Sequence, residues 1–223
     1  MGLFLATCSY FAFGIFCWRV VWRFILRLRI GSETPTEVND TCASWVTGIV
    51  DILFLRRLFR VNKGLWIGEW MFHVSFVLVF LRHLRYVLQP GGGGLGFIQP
   101  FGVAAGYALP FSLLYILLYR LVVERGRYVS AQNLFLTAMI LLTGATGVLL
   151  RGYFGADVIQ VKYFMLRLFA LAPVDPPADR FFAVHFMSAI VFLPFVPAHI
   201  FAAPLSLFEA RQREEAREGL LHD

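Results

Sequence analysis

The chain has 223 residues, a formal net charge of +6 and a hydrophobic fraction of 59%. Soluble domains are about 45–50% apolar, so this composition excludes an ordinary soluble protein and predicts an integral membrane protein. The positive charge does not require a nucleic-acid partner, because membrane topology accounts for where the basic residues lie. The three cysteines form no CxxC or CxxCH motif, which argues against c-type haem and against an iron–sulfur cluster carried by this chain.

Apolar segments long enough to cross a bilayer define the predicted fold. About 20 residues are needed to span the hydrocarbon. Five segments qualify: residues 3–24, 65–88, 101–122, 131–150 and 181–208. We therefore predict an all-α membrane protein, a bundle of five transmembrane helices that forms a single domain over residues 1–223, with a tail at 209–223. The first segment is expected to be a retained span rather than a cleaved signal peptide, since no basic residue precedes it.

The connectors between these spans differ in character. Residues 89–100 are rich in glycine, lack the flanks of a nucleotide-binding fingerprint and are expected to form a flexible loop. Residues 45–55 and 157–171 place apolar side chains at helical spacing near basic ones. Both are expected to be amphipathic helices at the membrane interface, with an ordinary loop as the alternative. In the fifth span, Pro194 and Pro197 predict a kink.

The distribution of basic residues predicts the orientation of the bundle. Residues 19–63, 120–127 and the tail from Arg211 hold 14 of the 20 lysines and arginines. The positive-inside rule places these segments in the cytoplasm, which puts the N-terminus outside and the C-terminus inside the cell inner membrane.

Four of the five histidines lie in two predicted spans. His73 and His83 lie in the second span, and His185 and His199 lie in the fifth. Ionisable side chains in hydrocarbon are costly and usually mark a functional site. Because the two spans run in opposite directions, His83 pairs with His185 near the outer face and His73 pairs with His199 near the inner face. Along a helix the members of each span are roughly 15 and 21 Å apart, which suits two metal centres at different depths.

Two pairs of histidines in a membrane predict two bis-histidine b haems. A neutral imidazole binds iron through one nitrogen while the other donates a hydrogen bond, and six-coordinate haem transfers electrons without an open position. Gly68, Gly144, Ala145 and Gly147 are small enough to admit a macrocycle, although simple helix packing explains each of them as well. The alternative from another class is a haem-free transporter or membrane anchor with a histidine path for metal ions or protons.

Several motifs resemble those of a known family. The FH-x9-H pattern of the second span and the P-x4-H-I-x3-P pattern of the fifth resemble the gamma subunit of respiratory nitrate reductase. FLRRLFRVNKGLW and TGVLLRGYF look similar to the related cytochromes b of sulfur-metabolism redox complexes.

The resemblance implies a five-span dihaem cytochrome b in the electron-transfer part of an oxidoreductase complex. It implies that His73 and His199 hold the inner haem, and that His83 and His185 hold the outer one. It further implies exchange with menaquinone or ubiquinone near the outer haem, and a cytoplasmic-facing iron–sulfur or catalytic subunit as partner. A stand-alone transmembrane ferric or ascorbate-type reductase is the alternative among haem proteins.

Other polar residues are expected near the same site. Four arginines belong to the outer level and would either bind haem propionates or a quinone, or extend to the lipid headgroups. They are Arg82, Arg85, Arg151 and Arg180. Arg82 adjoins His83 and is the candidate cofactor-binding residue among them. Glu69 is expected to bond a ligand, carry protons or face water, and Gln89 and Gln99 are candidate quinone contacts.

Overall fold

The computed structural model describes residues 1–31, 42–88, 94–125, 130–155 and 157–197, with side chains described except at 27–31, 42–47 and 94–96. Within these ranges the chain is helical. The α-helices are α1 (Gly2–Gly31), α2 (Cys42–Leu53), α3 (Arg56–Val61), α4 (Lys63–His83), α5 (Gly94–Leu118), α6 (Ala131–Leu149), α7 (Val158–Phe169) and α8 (Arg180–Phe192).

Among the described residues, four helical segments are long and apolar enough to cross a membrane. They are Gly2–Leu26, Lys63–Tyr86, Phe97–Val123 and Ala131–Phe154. These match the first four predicted spans to within a few residues at most of their ends. The protein is therefore an all-helical, multi-pass membrane protein by the length and composition of its helices.

The fifth predicted span, 181–208, is only partly described. Its apolar helix runs over Arg180–Phe195, which is shorter than the roughly 20 residues that a span needs. The α-helical part ends at Phe192 and continues as a 3-10 turn around Pro194, as expected where a proline removes a backbone donor. Residues from 198 onward, including His199, lie outside the described part of the chain, so the fifth span and the orientation of the termini stay predictions.

The loop predicted at 89–100 is wrong in its second half. Helix α5 begins at Gly94 and includes both Pro100 and Pro110. A proline removes one intrahelical hydrogen bond, and a helix embedded among others tolerates that loss. Glycine content therefore misled the prediction at this boundary.

The chain divides into two compact units, and their boundary falls within α1. The first contains Met1–Ala12 and Gly64–Phe192, and the second contains Phe13–Lys63 and the chain from Leu193. In the second unit, the Arg19 guanidinium donates to the Pro194 carbonyl oxygen at 3.0 Å. The site discussed below lies entirely in the first unit.

A hydrophobic cluster joins four helices of the first unit. Phe164 of α7 is its centre, with 1% of its surface exposed, and it contacts the rings of Phe182 and Phe186 edge-on at centroid distances of 5.8 and 5.3 Å. The other buried members are Leu5, Ala6, Leu150, Val161 and Leu168. The connector predicted at 157–171 is thus helical, as expected. Its apolar residues are not all buried: Phe164 is 1% exposed, whereas Val158 and Phe169 are 48% and 61% exposed.

Helix α7 begins with a side-chain cap. Asp157 Oδ1 accepts hydrogen bonds from the N–H groups of Ile159 at 2.8 Å and Gln160 at 3.3 Å. Such a cap satisfies backbone donors that have no partner inside the helix. We expect Asp157→Ala to lower the free energy of unfolding by about 0.5–2 kcal/mol in a denaturant titration in detergent. Asp157→Asn keeps an acceptor at the same place and is expected to stay close to the parent; an equal loss for both variants would contradict the capping role.

Candidate functional site

His83 at the end of α4 and His185 in α8 form the centre of the candidate site. Their ring centroids are 6.2 Å apart, and the ring planes are inclined by 21°. His83 is exposed and His185 is half-buried, so the space around the two rings is accessible to a ligand. The proximity agrees with the antiparallel arrangement that the sequence predicts for these two helices.

Hydrogen bonds assign the protonation of both rings. His83 Nδ1 lies 2.7 Å from the carbonyl oxygen of Val79, and His185 Nδ1 lies 2.9 Å from the carbonyl oxygen of Thr143. A carbonyl oxygen only accepts, so Nδ1 carries the proton and donates in each case. In the neutral imidazole, Nε2 is then the basic nitrogen, which is the one that binds a metal ion.

The two rings are close enough to hold one group between them. With centroids 6.2 Å apart, both imidazoles could contribute to binding the same metal-centred cofactor. Within the described ranges, no group of three or more His, Cys, Asp or Glu side chains is placed to hold a metal ion. A bis-histidine haem requires only two side chains, because the porphyrin supplies the remaining ligands.

Helix α6 positions His185. A Cβ atom at Gly147 would lie 3.1 Å from His185 Cε1 and 3.5 Å from its Nδ1, so the glycine lets the ring lie close against α6. Thr146 Oγ1 lies 3.2 Å from the same Nδ1. Thr143 also donates from its hydroxyl to Ser188 Oγ at 2.9 Å. The His185 ring is thus bonded by the Thr143 carbonyl and the Thr146 hydroxyl of α6, and Gly147 leaves space for it.

We expect Thr146 to stabilise the orientation of the His185 ring but not to determine it. Its hydroxyl donates to the Leu142 carbonyl at 2.8 Å, and its oxygen shares the His185 N–H with Thr143. Thr146→Val removes this second acceptor while keeping the volume, so we expect a stability loss of about 0.5–1.5 kcal/mol and retention of the ring's tautomer. Thermal unfolding and the imidazole nitrogen NMR shifts of His185 check this. A switch of the proton from Nδ1 to Nε2 would show that the Thr143 carbonyl alone does not fix the ring.

His73 has the same type of support within its own helix. Its Nδ1 donates to the Glu69 carbonyl oxygen at 2.6 Å, so the basic nitrogen is again Nε2. The Glu69 carboxylate does not bond a histidine ring. It accepts from Arg120 Nη2 at 2.7 Å. The predicted partner of His73, His199, and the candidate quinone contact Gln89 lie outside the described residues.

The predicted outer arginines separate into two groups. Arg82 and Arg85 both bond Gln99 of α5, whereas Arg151 and Arg180 are exposed at the end of α6 and the start of α8.

Two of the small residues named as possible haem contacts take part in helix packing instead. Gly68 lies against Tyr115, and Gly144 lies against Leu109. The sequence reasoning did not identify Thr143 and Thr146. The threonines at positions 143 and 146, which precede Gly147 within one helical turn, were the feature of the sequence that could have identified them.

The chain is similar to proteins from two Archaeoglobus species. It is 26% identical over 202 residues to the Hdr-like menaquinol oxidoreductase cytochrome b-like subunit of Archaeoglobus profundus, in an alignment that covers 74% of this chain and 59% of that protein. The subunit of the same name from Archaeoglobus fulgidus is 26% identical over 177 residues, covering 67% of this chain and 53% of that protein. No protein-family model matches the chain.

The chain spans between about half and three-fifths of the length of these curated relatives. Their names support the predicted resemblance to a cytochrome b of a redox complex. The likeness to the nitrate reductase gamma subunit stays a prediction. The chain is thus a multi-pass membrane protein by its apolar helices, and its sequence is similar to cytochrome b-like subunits of menaquinol oxidoreductases.

Proposed function

We propose that the chain is the membrane electron-transfer subunit of a respiratory oxidoreductase complex, in which His83 and His185 would hold a b haem. The observation that carries the proposal is the pair itself: two imidazoles from different helices, 6.2 Å apart, each with Nδ1 bonded to a carbonyl oxygen. This second bond is typical of histidines that bind a metal through Nε2. Bound haem would supply one-electron transfer between iron(III) and iron(II).

A second haem is proposed at His73 and His199. His73 shares with His83 the bond from Nδ1 to the carbonyl four residues earlier. The same hydrogen bond to the preceding turn of α4 therefore orients both imidazoles, His73 through Glu69 and His83 through Val79. Arg82 is included among the cofactor-binding residues because it adjoins His83 and provides positive charge beside it.

The proposed partners are menaquinone in the membrane and a cytoplasmic-facing iron–sulfur or catalytic subunit. The relatives are named as subunits of menaquinol oxidoreductases, which supports a quinone as the membrane substrate. In this arrangement the helices insulate the sites from lipid and water, and the histidines fix their spacing. The inner membrane and the predicted orientation are part of the same proposal.

The first test is optical. The purified full chain, produced with adequate haem supply, is expected to give the reduced-minus-oxidised spectrum of b haem, with close to two haems per polypeptide after extraction. His83→Ala and His185→Ala should each remove the same haem, and His73→Ala and His199→Ala the other. His222→Ala, at the fifth histidine, is the control and should keep both.

Two results would overturn the proposal. One is haem-free protein under these conditions, which would favour the alternative in which the histidines form a path for metal ions or protons. The other is loss of haem in the His222 variant equal to that in the other four. Oxidation of a menaquinol analogue by the reconstituted chain then tests the quinone partner separately.

A further inference from the structure

Two arginines at the end of α4 and in the 3-10 turn that follows it, Arg82 and Arg85, converge on one amide of α5. Arg82 Nε donates to Gln99 Oε1 at 3.4 Å, and Arg85 Nη1 donates to the same oxygen at 3.1 Å. The two guanidinium groups carry the same charge and repel each other. The shared acceptor offsets part of this repulsion. A Cβ atom at Gly102 would lie 2.7 Å from the Arg82 side chain, so the glycine lets this arginine lie against α5.

These arginines keep donors that the described residues do not use. Arg85 Nε is buried and has no hydrogen-bond partner within the described part of the chain. Arg85 Nη2 donates to the Tyr86 hydroxyl at 2.8 Å. For Arg82, only Nε is bonded among the described residues. A buried donor without an acceptor is unfavourable, so its presence indicates a group that accepts from it when the site is filled.

The local charge is also uncompensated. Arg82 and Arg85 carry like charges and share one neutral acceptor. Among the described acidic residues, Glu69 pairs with Arg120 and Asp51 with Arg56, and none pairs with Arg82 or Arg85. Moving a charge out of water is costly unless an opposite charge accompanies it, so two half-buried cations favour an anionic ligand.

Extension to the headgroups does not explain Arg82 and Arg85. An arginine that extends to the headgroups is expected to have an exposed side chain, as Arg167 and Arg180 do. Arg82 and Arg85 are instead half-buried between α4 and α5 and are fixed by Gln99. Arginine presents donors in a planar fork that matches two oxygens of one anion.

We propose that Arg82 and Arg85, organised by Gln99, form an oxyanion-binding site next to His83. The ligand presents a carboxylate or phosphate at the outer end of α4. Its two possible sources are a propionate of a haem held by His83, in which case the inference rests on the proposed function, and the phosphate of an anionic lipid. Both are recognised by the same paired guanidinium groups.

The test compares Arg82→Gln/Arg85→Gln with Arg167→Gln, a control in the exposed surface of α7. In the first arm, the full-length apoprotein is titrated with haem b and with haem dimethyl ester, and binding is followed by Soret absorbance. If the site takes propionates, the parent protein prefers haem b by about 10- to 100-fold, the range that charge-assisted hydrogen bonds provide. The double variant loses this preference while its affinity for the ester is unchanged.

In the second arm, delipidated protein is incubated with phosphatidylglycerol or phosphatidylcholine, and bound lipid is counted by native mass spectrometry. If the site takes a lipid phosphate, the parent retains phosphatidylglycerol, the double variant does not, and haem b and its ester bind equally. Binding of neither haem compound would overturn the proposed function, yet this arm would still test the anion site. Arg82→Lys/Arg85→Lys keeps the charge and is the variant to use if the glutamine variant does not fold.

The inference is overturned if the double variant matches Arg167→Gln in both arms. Loss of binding to the ester as well as to haem b would also overturn it, because the arginines would then support the fold rather than the anion.

Discussion

Gly147→Val is expected to remove the haem assigned to His83 and His185 and to leave the other one in place. Even a Cβ atom at this position would lie 3.1 Å from His185 Cε1, and valine adds two methyl groups. A ring that moves far enough to admit those methyl groups would lengthen its 2.9 Å bond to the Thr143 carbonyl. Haem content per polypeptide should therefore fall from about two to about one, measured after extraction. Gly147→Ala, with a smaller clash, should give an intermediate affinity.

Gly14→Val is the matched control for this experiment. It introduces the same β-branched side chain into a helix, but at a position in α1 where a Cβ atom meets nothing within 4 Å. Both variants therefore carry the same change in helix propensity. Equal haem loss in the two would attribute the effect to the helix rather than to the space beside His185. Full haem content in Gly147→Val would contradict the assigned site.

Arg120→Met is expected to destabilise the protein by about 3 kcal/mol, at the lower end of the range for breaking a buried ion pair. Arg120 Nη2 and Glu69 Oε1 are 2.7 Å apart, and the two side chains are 27% and 17% exposed. Without Arg120, the Glu69 carboxylate stays inside a spanning segment with no compensating charge. Unfolding by denaturant in detergent micelles measures the change in free energy.

The double variant Glu69→Gln/Arg120→Met separates the charge from the packing. It removes both charges together, so we expect most of the lost stability to return. Haem bound at His73 should be retained in both variants, because His73 bonds the backbone carbonyl of residue 69 and not its carboxylate. A double variant as unstable as the single one would show that Arg120 acts through packing alone.

Hydropathy was sufficient to predict the positions of the spanning helices. The segments expected at 65–88 and 131–150 agree with the observed Lys63–Tyr86 and Ala131–Phe154, because about 20 apolar residues leave the backbone no alternative to a helix in lipid. Boundaries rich in glycine and proline were less predictable. At Gly94 the helix begins inside a segment whose composition is typical of a loop.

The candidate site was predictable in outline and not in detail. Antiparallel spans bring His83 and His185 to the same level, and the structure places their rings together. Their role as ligands stays a prediction. The carbonyl of Thr143 carries no signal in the sequence, since every residue has one. The convergence of Arg82 and Arg85 on Gln99 depends on how α4 and α5 pack, which the pattern along each helix does not determine.

The difference between the supports of the two rings has a consequence for assembly. His83 donates to a carbonyl of its own helix, so α4 orients it as soon as that helix forms. His185 donates to α6 and depends on the space above Gly147, so its orientation exists only after α6 and α8 have associated. The orientation of His83 thus depends on α4 alone, whereas the orientation of His185 depends on the packing of α6 against α8. The proposed haem would therefore need the association of α6 and α8, as well as a folded α4, before both imidazoles are oriented to hold it.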